Sequence, residues 1–124
     1  MATLEVTKKQ QVLIVEDDAF IALDIESVMD AAGFDVIGCA GRVDEALDLL
    51  DRHAPDIVLL DFNLRDETSI PIAKLLQKTG IPFLFISGQT REVVLADMAD
   101  DYKVIPKPFR PKHLVNNVRS LTQH

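Results

Sequence analysis

Cysteine is almost missing from this 124-residue chain: Cys39 is the only one, so no internal disulfide can form. It sits in the apolar stretch Val36-Ile37-Gly38-Cys39, where a buried, inert thiol is the expected state. Basic residues are also scarce, with 13 Lys and Arg against 20 Asp and Glu and a formal net charge of −7. That balance argues against nucleic acid, whose phosphates call for clustered cations, and Lys8-Lys9 is too short to count as a basic patch. No apolar run approaches the roughly 20 residues of a membrane span. The first ten residues, Met-Ala-Thr-Leu-Glu-Val-Thr-Lys-Lys-Gln, lack the apolar core of a secretory signal, so the expected location is cytoplasmic. The phosphate loop Gly-x-x-x-x-Gly-Lys-Ser/Thr is absent, which removes the P-loop NTPases. Without a linker, a repeat or a low-complexity tract, one domain is the natural count, and a chain of this length buries roughly two-thirds of its unfolded surface.

What is present is organised around Ile57-Val58-Leu59-Leu60-Asp61-Phe62-Asn63. Four large apolar residues run straight into a carboxylate with no polar alternation, the pattern of a strand covered on both faces of a parallel sheet. Burying Asp61 is costly unless it stands where the strand ends and a cation or solvent can reach it. Ligands bind at that edge of open α/β sheets, which makes Asp61 the candidate reactive or ligating centre.

Taken in order, residues 1–10 read as a lead-in and Val12-Leu13-Ile14-Val15 as the first strand, ending in Glu16-Asp17-Asp18. Ile21, Ile25, Val28, Met29 and Ala32 have one-face helical spacing, with Asp17 or Asp18 as the cap and Gly33 past the end. The second strand is Val36 to Cys39, and Val43, Ala46, Leu47 and Leu50 mark a helix that stops before Pro55. After the third strand, Ser69 and Pro71 start a helix carrying Ile72, Leu75 and Leu76, closed by Gly80. Ile81 to Ile86 is the fourth strand, leading into Ser87-Gly88. Residues 89–103 hold few apolar anchors; Val93, Val94 and Met98 suggest one short helix, and Asp97, Asp100 and Asp101 oppose its dipole. Low local stability is expected there. Val104-Ile105 is a minimal fifth strand, placed at a sheet edge because Pro106 removes a ladder donor. Pro111 opens a last helix with Leu114, Val115, Val118 and Leu121 inward.

Five β–α units in succession predict an α/β fold, a doubly wound five-stranded parallel sheet with helices on both faces and the flavodoxin-like order 2-1-3-4-5. Glu16 and Asp17, Asp61, Ser87 and Lys107 then stand at the carboxyl ends of strands 1, 3, 4 and 5. Carboxylates about 5 Å apart repel by roughly 3 kcal/mol at an effective dielectric of 20, so three of them need a divalent cation as well as Lys107. With oxygen donors and no His or Cys nearby, Mg²⁺ is the default ion. A carboxylate facing Mg²⁺, a Lys and a Ser is set up to receive a phosphoryl group by in-line attack.

Val12-Leu13-Ile14-Val15-Glu16-Asp17-Asp18, Leu59-Leu60-Asp61-Phe62-Asn63-Leu64, Phe85-Ile86-Ser87-Gly88 and Lys107-Pro108-Phe109 are together similar to the receiver domain of two-component response regulators, over residues 11–122. The resemblance implies Asp61 as phosphoacceptor and as one of the metal-site residues, with Asp17 as direct Mg²⁺ ligand, Glu16 as a ligand through water and Asn63 as donor of a backbone carbonyl. It implies that Ser87 and the Gly88 amide hold phosphoryl oxygens, that Lys107 pairs with the phosphate, and that a cis peptide precedes Pro108. Asn63 and Gln89 would flank the path of the hydrolytic water. The implied partners are a histidine kinase or phosphotransfer protein and a downstream protein target, with no nucleic acid and no membrane.

Three departures stand out. Val104 occupies the place where the family often has the Tyr or Phe that swings inward on activation, and Tyr102 does not replace it by position. The loop after Asp61 reads Arg65-Asp66-Glu67-Thr68-Ser69, where many receivers carry Pro and Gly. Pro106 within the fifth strand is unusual. The Asp-x-Asn-Leu loop and Gly-Ile-Pro-Phe-x-Phe more resemble a subgroup common among stand-alone and stress-response receivers. Since His124 follows shortly after the last helix, no effector domain is expected, and output would be protein docking or onward phosphotransfer. His53, His113 and His124 are expected at the surface. A dehalogenase-type phosphatase expects a second Asp where Asn63 stands, and an FMN carrier would meet a repulsive acidic loop after strand 1. A phosphorylation-independent receiver-like adaptor is the alternative that survives.

Overall fold

The apolar runs are uniform because successive residues feed two separate cores. In the computed structural model, which describes residues 8–123, the elements are β1 (Gln11–Val15), α1 (Ala19–Ala31), β2 (Asp35–Ala40), α2 (Val43–Arg52), β3 (Ile57–Asp61), β4 (Asn63–Leu64), β5 (Glu67–Thr68), α3 (Ile70–Thr79), β6 (Phe83–Ser87), α4 (Arg91–Leu95), β7 (Val104–Pro106) and α5 (Pro111–Thr122). Of the lead-in expected over 1–10, residues 1–7 lie outside the described residues, as does His124. Leu13, Val15, Val58, Leu60, Phe83 and Phe85 face one core with Ala46 of α2, Ile72 and Leu76 of α3 and Val94 of α4. Val12, Ile14, Ile57, Leu59, Leu84 and Ile86 face the other with Ile25 and Met29 of α1 and Leu114 and Val118 of α5. Strand residues alternate faces, so a strand sandwiched between helices has no polar side to show.

All ladders among β2, β1, β3, β6 and β7 are parallel and run in that spatial order, the flavodoxin-like arrangement expected from the sequence. Pro106 ends the edge strand β7, where a missing N–H costs no ladder bond on the open side. Asp18 caps α1 by accepting from the backbone N–H groups of Phe20 and Ile21. Gly80 takes the left-handed conformation (φ 78°) that closes α3. His53 and His113 are exposed.

Several details differ from the sequence reading. Cys39 is exposed, not buried, because β2 is the other edge of the sheet and its register slips beside Val12 and Leu13. Partial desolvation, then the Glu26 carboxylate beside it, push the thiol pKa up, which disfavours the reactive thiolate. β6 begins at Phe83 and not at Ile81, since Pro82 has no N–H and offers only its carbonyl, to Val58. Ser69 stands at the α3 cap position but has φ −82° and ψ 6°, outside the extended geometry a capping side chain needs; its hydroxyl is buried without a partner among the described residues. The loop after Asp61 folds as a two-stranded antiparallel hairpin, with Asn63 opposite Thr68 and Leu64 opposite Glu67.

Residues 89–103 are better anchored than their composition suggests. The helix is only five residues long, but Val94 is fully buried and Leu95, Met98 and Tyr102 pack against the core. The Tyr102 ring stacks on Phe83 at 4.4 Å, Arg91 donates to the Tyr102 carbonyl (2.9 Å) and pairs with Asp101, and Gln77 donates to Asp100 (3.0 Å). Phe83 in turn meets Phe85 edge-on at 5.8 Å, and Phe85 meets Phe62 at 6.2 Å. A row of four rings therefore runs from the residue after Asp61 to the α4–β7 connection.

Candidate functional site

Parallel pairing brings the carboxyl ends of the central strands to one edge, and the polar residues follow. Asp61 is the last residue of β3, Glu16 and Asp17 follow β1 directly, Ser87 closes β6 and Lys107 follows β7. Carboxylate oxygens of Glu16, Asp17 and Asp61 lie within 4.8 Å of one another. Lys107 reaches in from the edge strand, its Nζ 2.7 Å from Glu16 Oε1 and 3.2 Å from Asp61 Oδ2. Glu16 and Asp61 are buried, whereas Asp17 is the more open of the three. The Lys107–Pro108 peptide is cis, as the resemblance implied.

Ser87 is buried one step beyond the Asp61–Ile86 pair of the β3–β6 ladder. Its hydroxyl accepts from the Gln89 backbone N–H at 2.9 Å, not from a carboxylic acid. Gly88 and Gln89 are exposed on the loop that follows, and nothing stands within 4 Å of the place a Gly88 Cβ would take. Asn63 begins the hairpin two residues past Asp61 and is exposed. Thus Glu16, Asp17, Asp61 and Lys107 are in direct proximity, while Ser87, Gly88, Asn63 and Gln89 border the same edge on two loops.

The electrostatics are unbalanced. Burial, then the neighbouring Asp61 carboxylate, push the Glu16 pKa up to about 7, against the opposing pull of Lys107. Burial works against the Lys107 ammonium, but Glu16 and Asp61 outweigh it and its pKa is raised. Glu16 Oε2 is buried and has no hydrogen-bond partner among the described residues. An orphaned carboxylate oxygen, in a set made only of oxygen donors with one ammonium nearby, fits a hard divalent cation such as Mg²⁺.

The chain matches the family model described as response regulator receiver domain over residues 12–119. It belongs to that family. It is 37% identical over 119 residues to the DNA-binding response regulator MtrA of Mycobacterium tuberculosis, covering 92% of this chain and 51% of that protein. It is 29% identical over 107 residues to the phyllosphere-induced regulator PhyR of Methylorubrum extorquens, covering 84% and 40%. The chain thus spans about half the length, or less, of these curated relatives. The solution structure of SdrG from Sphingomonas melonis Fr1 matches with a TM-score of 0.79 at 30% identity, over 94% of this chain and 98% of that one. The response regulator PhyR from Brucella abortus matches equally well, with a TM-score of 0.79 at 30% identity, over 93% and 48%. Receiver domains bind Mg²⁺ at an acidic pocket and work with histidine kinases and downstream targets, and response regulators are mostly non-enzymatic signalling proteins. This receiver has the acidic cluster, and no helix among its described residues is long and apolar enough to cross a membrane.

Two features went unseen in the sequence. The first is a groove of about 610 Å³ between α1 and the start of α5, lined by Ile21, Asp24, Val28, Lys107, Pro108 and Phe109. Phe20, which precedes Ile21 on α1, is 84% exposed. The second is Glu67, whose carboxylate accepts from the Val43 backbone N–H at 3.1 Å. The clue to it was Arg42: a helix beginning after Arg has no capping side chain of its own.

The raised Glu16 pKa sets a pH dependence. A folded pKa of about 7 against 4.5 unfolded means that the native state holds the extra proton between those values, so metal-free stability falls as pH rises through that window. Lys107 acts in the alkaline range and leaves the window untouched. Urea midpoints measured in EDTA should drop from pH 5 to pH 8, and Glu16→Gln should flatten the drop. Stability that rises over this range in the metal-free chain would contradict the assignment.

Proposed function

We propose that this receiver takes a phosphoryl group on Asp61 from a phosphohistidine, in a reaction that depends on Mg²⁺, and signals by docking to another protein or by passing the group onward. The observation that carries this reading is the convergence of Lys107, Glu16 and Asp17 on Asp61 at the sheet edge. An Asp61 carboxylate oxygen would attack phosphorus as the P–N bond to the donor imidazole breaks, and the departing imidazole takes up a proton. Asp17 and the Asn63 carbonyl would hold the cation directly and Glu16 through water. Bound there, the cation supplies positive charge to the phosphoryl oxygens. Lys107 would leave Glu16 for the phosphate, and the Ser87 hydroxyl and Gly88 amide would take the remaining oxygens. The groove beside Lys107, together with the exposed Phe20 of α1, suits the approach of a phosphodonor protein.

Output would be read on residues 89–103 with β7 and α5. Turning the Ser87 hydroxyl toward a phosphoryl group releases the Gln89 N–H it now holds, at the start of that segment. The row of rings from Phe62 to Tyr102 contacts the same segment from its other end, where Val104 cannot act as the usual switch aromatic. The boundaries of the receiver unit, 11–122, follow from this reading. An adaptor that works without phosphorylation draws on the likeness to PhyR, whose Bartonella quintana form is described as an anti-anti-sigma factor.

Intact-mass analysis after incubation with acetyl phosphate separates the two. With Mg²⁺ the chain should gain one phosphoryl group, which Asp61→Asn and EDTA should each abolish; labelling that persists under either condition defeats the proposal. Asn63 and Gln89 are uncharged amides able to orient water, so the phosphate should be lost spontaneously and more slowly in Gln89→Leu. Unchanged decay in a double substitution of Asn63 and Gln89 would assign the water to another group. Beryllofluoride, a phosphoryl mimic, should alter hydrogen exchange within 89–103. Unaltered exchange there alongside a changed partner affinity would put the output surface elsewhere.

A further inference from the structure

Three loops lie at or beside the acidic site: Glu16-Asp17 after β1, Gly41-Arg42 after β2, and the β4–β5 hairpin after β3. The first two touch. A Cβ on Gly41 would stand 3.6 Å from Asp17 Cα and 3.8 Å from the Glu16 carbonyl oxygen, and the Glu16 N–H donates to the Ala40 carbonyl at 2.8 Å. The hairpin, which begins at Asn63, is only two residues deep on each strand. Leu64 pins one side of it in the core. Glu67, directly opposite Leu64, reaches across to the first N–H of α2.

That N–H needs an outside partner. The first four N–H groups of a helix have none within it, and the α2 cap residue, Arg42, is instead engaged with Asp44 (3.1 Å) and Glu45 (3.4 Å). A carboxylate at a helix N-terminus is favoured both as acceptor and by the helix dipole. Asp44 and Glu45 already supply negative charge to that first turn, so what Glu67 adds is a tie between two loops.

We infer that Glu67 is a positioning residue for the cation site, fixing the Asn63 hairpin to the start of α2 and thereby to the Gly41 loop that rests on Glu16-Asp17. The inference builds on the reading of Asn63 and Asp17 as direct ligands. Glu67 touches neither the cation nor the phosphoryl group; it sets how far the Asn63 carbonyl stands from Asp17. Losing the tie lets the hairpin pivot about Leu64 and opens the ligand set without removing a ligand.

Two variants separate a tie from simple charge. Glu67→Ala removes the acceptor; Glu67→Gln keeps an acceptor oxygen but no charge. In the metal-free chain, NMR should find the Val43 amide proton exchanging faster in Glu67→Ala than in the parent, with Glu67→Gln close to the parent. In a Mg²⁺ titration followed by NMR, Glu67→Ala should weaken binding about 3- to 10-fold, the worth of one hydrogen bond, and Glu67→Gln by less than about 2-fold. Unchanged Val43 exchange in Glu67→Ala overturns the inference, as does faster exchange with unaltered Mg²⁺ affinity. Equal weakening in both variants also overturns it, because charge alone would then be the cause. A parent chain that binds no Mg²⁺ brings down the receiver reading and this inference with it, and is recognised before any variant is compared.

Discussion

Three carboxylates held within 4.8 Å of one another, with the Lys107 ammonium against them, are the constraint on which the rest of this structure depends. Each pair repels by roughly 3 kcal/mol at an effective dielectric of 20, and Lys107 cannot offset all of it. Glu16 relieves part of the strain by holding a proton up to about pH 7. Such a cluster persists only because the sheet beneath it is over-determined: β1, β3 and β6 are buried on both faces and end at one edge. The stability supplied by two cores is spent at the site, where favourable local chemistry is given up for an acidic cluster that suits a divalent cation.

The same constraint explains the position of Lys107. A lysine from the edge strand reaches Glu16 and Asp61 with its charge while its stem stays beside the α1–α5 groove. In the resting site it bridges an unbalanced pair. Anything that brings further negative charge to Asp61 competes with Glu16 for it. Beside it, the Ser87 hydroxyl holds the Gln89 N–H, so both side chains are already engaged with neighbours in the resting site.

Most of the fold was legible, and the reason is physical. Strands sandwiched between helices read as unbroken apolar runs, and a carboxylate ending such a run cannot lie deep in the sheet, so Asp61 and Glu16-Asp17 placed themselves at one edge. Pro106 marked β7 as an edge strand for want of an N–H. Nothing comparable marked β2, whose Val36-Ile37-Gly38-Cys39 reads like a central strand, and Cys39 was misplaced for that reason. Ser69 has the identity of a cap but not the backbone angles, which depend on the hairpin before it. The contacts between Glu67 and Val43 and between Tyr102 and Phe83 join residues 24 and 19 positions apart, across elements whose spacing no local pattern encodes. Within the site, residue types were readable from chemistry. The resting partners of Lys107 and the proton on Glu16 needed distances.

Thermal melting of Asp17→Asn beside the parent chain, with and without Mg²⁺, tests the central claim most directly. Asp17 is the more open carboxylate, so removing its charge relieves repulsion without leaving a buried group unpaired. In EDTA the variant should be more stable by about 1 kcal/mol and melt a few degrees higher. Saturating Mg²⁺ should raise the parent and leave the variant where it was, reversing their order. A variant that melts lower in EDTA, or that gains as much from Mg²⁺ as the parent, would contradict the account.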